Sequence, residues 1–109
     1  MQAVQLQPTI ADAYVELANA MYLQERYAET VAVLDRMKQA AEKVQETPWS
    51  TFLRAISLDK LGVAEGAIVS YRRFLAIAGG AYPDQEFQAR QRVKALTIVL
   101  EKKGKRVPQ

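Results

Sequence analysis

Cysteine and histidine are both missing from this chain of 109 residues. Without cysteine there can be no disulfide, no thiolate metal site and no thiol catalysis, and the absence fits reducing and oxidising compartments alike. Without histidine the commonest general base is gone, and the loss of both residues leaves zinc-type sites without their usual ligands. No apolar run approaches the roughly 18 residues of a membrane span, so no membrane insertion is expected. The first residues also lack the charged and apolar regions of a signal peptide. Period-two alternation is nowhere sustained, which argues against strands. No glycine-rich loop follows a strand, no nucleophile has an obvious base, and the carboxylates Asp12, Glu16, Asp35, Glu42 and Asp59 are scattered along the chain. Neither catalysis nor a cofactor nor a bound metal is expected from such a sequence.

Half of the residues are hydrophobic, enough for one domain to build a core without covalent or metal staples. The formal net charge of +3 conceals a gradient. Residues 1–47 hold seven acids and four bases, whereas residues 48–109 hold five acids and eleven bases. The basic end could face something acidic. Phe87 is the one aromatic residue among Arg90, Arg92, Lys94, Lys102, Lys103, Lys105 and Arg106, and single-strand binding needs stacking platforms. These bases read as a solvated helix face, and nucleic acid is not the expected partner.

Helix formers fill every long segment, and the spacing predicts five helices. The first, about 10–24, places Tyr14, Leu17, Ala18 and Met21 on one stripe; the second, about 28–44, does so with Val31, Leu34, Met37 and Ala41. Thr47 followed by Pro48 is a start signal for the third, which runs to Leu61 before Gly62. The fourth, about 65–78, should bury Ala67, Tyr71, Phe74 and Leu75 and stop at Gly79-Gly80. Pro83 and Asp84 open the fifth, which reaches Lys103, and residues 105–109 should fray. Short connections make neighbouring helices antiparallel, giving stacked helical hairpins.

The run Tyr14-x2-Leu17-Ala18-x2-Met21, then Tyr27, then Thr30-x3-Leu34 and Met37, resembles the tetratricopeptide (TPR) pattern, with Thr30 standing where alanine is usual. A shift of 37 residues overlays Ala55 on Ala18, Leu58 on Met21, Ile68 on Val31, Tyr71 on Leu34 and Phe74 on Met37. The resemblance implies an all-α fold of antiparallel hairpins stacked as a short right-handed superhelix. Residues 9–46 form one repeat, 47–81 a second, and 82–104 a capping helix that solvates the end of the array. Three residues beyond the usual length are expected to extend the second helix through Lys43 and Val44. Ala3-Val4-x-Leu6-x-Pro8 resembles the last turn of a preceding repeat, so residues 1–8 are expected to be its remnant, in a segment cut from a longer array.

What the family does implies a protein–protein interaction module, with a peptide or partner helix on the concave face. By the gap-free alignment the residues of that face are Val15, Asn19 and Tyr22 on the first helix and Trp49, Phe52, Ile56 and Lys60 on the third. The same alignment puts Ala55, Leu58 and Leu61 in the core and Arg54 where the family has leucine. A second register, reading Trp49-x2-Phe52-Leu53-x2-Ile56 as the helix signature, sends Trp49, Phe52 and Ile56 inside. Burial of each such side chain is worth about 1.5–3 kcal/mol, and both registers stay open at this point. The basic residue that accompanies asparagine in carboxylate-gripping members is missing at Val15, so chaperone-tail binding is not expected. The alternative function is a structural spacer or self-association segment of a larger protein, in which the same apolar residues pack on neighbouring repeats or a second copy.

Overall fold

A computed structural model describes residues 10–40 and 46–109. Five helices follow one another: α1 (Ile10–Leu23), α2 (Tyr27–Ala40), α3 (Pro48–Lys60), α4 (Ala64–Ala78) and α5 (Pro83–Lys102). No strand occurs among the described residues. The expected remnant of a repeat at 1–8, Ala41, and the extension through Lys43 and Val44 lie outside them.

The helix ends follow from local chemistry. Thr47 holds an extended backbone at φ −100° and ψ 154°. Its hydroxyl accepts from the Ser50 N–H at 3.1 Å, and Ser50 Oγ accepts from the Thr47 N–H at 3.2 Å. Serine thus completes a reciprocal capping box usually closed by Glu or Gln, with Pro48 preset for the first helical position.

Both hairpins turn through the same hydrogen bonds at a shift of 37 residues. The Arg26 N–H reaches Met21 O at 2.9 Å and the Glu25 N–H reaches Tyr22 O at 2.9 Å. The Val63 N–H reaches Leu58 O at 2.9 Å and the Gly62 N–H reaches Asp59 O at 3.0 Å. Each is a Schellman closure whose central residue must be left-handed. In the second turn that residue is Gly62 at φ 80°, and in the first it is Glu25 at φ 61°. An L-residue there costs about 1–2 kcal/mol, part of which glycine's chain entropy would offset. Glu25→Gly is therefore expected to stabilise the protein by about 0.5–1 kcal/mol, read as a higher urea midpoint with an unchanged slope; a lower midpoint would refute the strain.

Helices pack chiefly on their neighbours in sequence, α1 on α2, α2 on α3, α3 on α4 and α4 on α5, with a smaller contact of α1 on α3. The result is elongated, with extents of 55 × 28 × 26 Å. Two apolar clusters fill it. Ala18, Val33, Leu34 and Met37 form the first with Leu53 of α3; Phe52, Ala55 and Leu58, also of α3, join Ala67, Ile68, Tyr71 and Phe74 in the second, which runs on to Ala89, Leu96 and Leu100 of α5. α3 is thus the hinge plate of the fold, buried on two sides.

Thr30, fully buried where alanine was expected, satisfies its hydroxyl by donating to Arg26 O at 2.9 Å. Three expectations are corrected. Leu17 is 46% exposed rather than core, because the flank it occupies faces no other helix among the described residues. Leu61 is exposed; it is the C-cap of α3, already leaving the stripe as the chain turns at Gly62. The C-terminal residues do not fray freely. Gly104, at φ 69°, lets the Lys105 N–H reach back to Leu100 O at 2.9 Å. The reversed chain then packs Val107 on the second cluster and receives a hydrogen bond from Arg72 at Pro108 O.

Candidate binding groove

α3, α4 and α5 meet around Asp59. The Tyr71 hydroxyl donates to Asp59 Oδ2 at 2.8 Å. Arg92 donates through Nε to Oδ2 at 2.7 Å and through Nη2 to Oδ1 at 2.8 Å, a bidentate fork that fixes its guanidinium plane. Burial works against ionisation of Asp59, but the bonds from Arg92 and then Tyr71 outweigh it and hold the carboxyl below its usual range. Burial, followed by the bond to Asp59, pushes the Tyr71 phenol far up. The bond to Asp59 raises Arg92 in turn. At neutral pH the cluster is therefore an ion pair with a neutral phenol.

Beside this cluster lies an open depression of about 490 Å³, lined by Ile56, Asp59 and Lys60 of α3, Tyr71 of α4, and Gln88 and Arg92 of α5. Ile56 is its one aliphatic lining residue, set among the Lys60 ammonium, the Gln88 amide, the Tyr71 phenol and the Asp59–Arg92 pair. Tyr22 of α1 is near enough to Tyr71 to act on its ionisation, and is itself raised by burial and then by Tyr27.

Of the residues expected on the concave face, Ile56 and Lys60 line this depression. Val15 and Tyr22 are half-buried against the first cluster, and Asn19 is half-exposed. Trp49 is 37% exposed and leans on Phe52, with ring centroids 6.0 Å apart. Phe52 is 5% exposed and belongs to the core, where its ring meets Phe74 at 5.0 Å and Tyr71 at 6.2 Å. This corrects its place among the groove residues. Tyr71 and Phe74, three apart on α4, form an aromatic wall that Phe52 completes from α3. Neither sequence register holds alone: Ala55 and Leu58 are buried as the gap-free one requires, while Phe52 and Leu53 are buried as the other requires.

Sequence reasoning missed Asp59, Tyr71, Gln88 and Arg92 as neighbours of the groove. Asp59 and Arg92 are 33 positions apart, a separation at which helical periodicity carries no pairing signal.

Arg54, the worst mismatch to the family pattern, bridges the two hairpins. It pairs with Asp35 of α2 at 3.1 Å and donates to Ser70 Oγ of α4 at 3.0 Å. Nearby, Glu46 pairs with Lys38 at 3.4 Å and Arg73 at 2.6 Å, and the bond from Arg73 chiefly holds its carboxyl below the usual range. These residues rim a smaller cleft of about 240 Å³ over Leu34, Met37 and Val69. Three bases share two carboxylates across the seam, and these ion pairs tie α2 and the segment before α3 to α3 and α4.

Among the described residues no three metal-ligating side chains gather, and no helix is long and apolar enough to cross a membrane. Compared with protein-family models, with curated proteins and with solved structures, the chain matches none.

Proposed function

We propose that the chain is a tetratricopeptide-type module that binds a peptide or partner helix in the groove running from α1 across α3 to α5. The observation that carries this reading is the depression in which Ile56 and Lys60 of α3 face Gln88 and Arg92 of α5. Most of its lining is polar, and Asp59, Tyr71 and Arg92 are held in place by their mutual hydrogen bonds, as suits a surface that recognises a partner through directed, pre-organised contacts. The repeated turn at 37 residues and the packing of each helix on the next support the repeat architecture. In that architecture Asn19 and Tyr22 of α1 are the counterparts of Ile56 and Asp59, so the groove extends along α1 with Val15, while Trp49 stands at its far end. Arg92, held flat by Asp59, presents its remaining N–H groups without losing side-chain freedom on binding. The module acts by holding its partner and catalyses nothing, and its partner is a protein.

A peptide-display selection against the folded chain tests this. Selected peptides should bind with micromolar affinity, about −8 kcal/mol. Their binding should fall at least roughly tenfold, about 1.4 kcal/mol, in Ile56→Glu and in Lys60→Glu, and should be unchanged in Val69→Ser on the opposite cleft. Peptides that bind all three variants equally, or a selection that enriches nothing, would remove the groove from consideration.

A further inference from the structure

α5 carries large apolar side chains on the side away from the core as well as toward it. Ala89, Leu96 and Leu100 turn toward α4 and the core. At spacings of four, three and four, Phe87, Gln91, Lys94 and Ile98 run along the other side, with Phe87 59% and Ile98 52% exposed. A helix that merely solvates the end of a stack would carry polar residues there. The stripe is about 16 Å long at 1.5 Å per residue, and its one charge is cationic.

At the other end of the molecule, α1 bears Ala13, Glu16, Leu17 and Ala20 on one stripe, all exposed or half-exposed. The 37-residue shift places them on Ser50, Leu53, Arg54 and Ser57 of α3. Those are the positions through which α3 seats itself on the first hairpin: Leu53 enters the first apolar cluster, Arg54 pairs with Asp35, and Ser50 lines the seam with Leu34 and Met37. In α3 the stripe is covered and in α1 it is open. Small alanines leave room for large side chains, and Glu16 supplies the charge opposite to Lys94.

We propose that a second copy of this chain is the partner of these faces, the outer stripe of α5 in one molecule docking on the α1 stripe of the next. Charge decides for this pairing over its rivals. Lys94 opposite Glu16 gives this pairing a contact between unlike charges that neither stripe offers a second copy of itself. Only α5 on α1 joins the basic end of the chain to the acidic end. The contact is heterologous, so each molecule added leaves one face of each kind open. One helix on another gives an interface at or below the small end of the stable range, about 1,200 Å² in total, and the association is correspondingly weak. The faces are separate from the groove, so peptide binding and self-association can fail independently.

Sedimentation velocity on the full chain, from about 10 µM to about 1 mM to bracket a weak interface, tests the inference. The weight-average sedimentation coefficient should rise with concentration without levelling at a dimer, and should fall back as added salt shortens the screening length from about 10 Å toward 3 Å. Glu16→Lys and Ile98→Glu, both at exposed positions, should each sediment as monomers throughout. Mixing the two variants should restore a complex, because the mixture again contains one unaltered α5 face and one unaltered α1 face, and this rescue shows that both variants are folded. A wild-type chain that stays monomeric at about 1 mM would overturn the proposal. So would a simple dimer that Glu16→Lys leaves intact.

Discussion

Phe52→Ala is expected to lower the free energy of unfolding by about 3–5 kcal/mol, the cost of emptying a buried aromatic site. The ring lies between Trp49 on its outer side and Phe74 and Tyr71 beneath it. These neighbours are anchored on helices that cannot close up without moving α3 against α4, so much of the cavity would persist. Domains of this size are stable by about 5–15 kcal/mol, and the variant should be partly unfolded well below the melting temperature of the parent. Urea denaturation followed by circular dichroism would measure it. A loss below about 1 kcal/mol, the scale of surface substitutions, would mean that Phe52 faces the groove after all.

The second large effect is expected at Asp59. Substitution by asparagine leaves the Arg92 guanidinium without its anion and weakens the acceptor of the Tyr71 hydroxyl, at a cost of about 1.5–3 kcal/mol for hydrogen bonds to a charged group. Arg92 is partly exposed, so water relieves some of the penalty that a fully buried pair would incur. The carboxyl is held below its unfolded value of about 3.9. Its contribution is therefore complete above about pH 5 and is lost as pH falls through the folded value. Wild type and Asp59→Asn should differ fully at pH 7, begin to approach each other near pH 4 and meet only once the pH has fallen past the folded value. Stability curves that stay parallel to about pH 2 would show that the ion pair contributes nothing.

How far these features are legible in the sequence differs by level. The helices are legible because their punctuation is chemical: Thr47-Pro48, Gly62, Gly79-Gly80, Pro83 and Gly104 each impose a backbone state whatever surrounds them. The stripes of α2 and α4 are legible because each has one apolar face. α3 is not, since Leu53 and Phe52 are adjacent and enter different clusters; a helix buried on two sides has no single stripe to align. Arg54 looked like a flaw in a core position, yet its partners Asp35 and Ser70 belong to two other helices, and no local rule joins them. Of the residues lining the depression, Ile56 and Lys60 of α3 are among those expected to share a face. Gln88 and Arg92 of α5 are not, because Arg92 takes its role from a carboxylate in another helix.

The order in which the helices touch has a kinetic meaning. Each helix finds most of its neighbours within the next forty or so positions of chain, so little loop-closure entropy must be spent before a contact returns free energy. Such low contact order places a chain among the fast folders, on the microsecond-to-millisecond scale. Either hairpin can serve as the nucleus, and the two join where α3 of the second packs on α2 of the first.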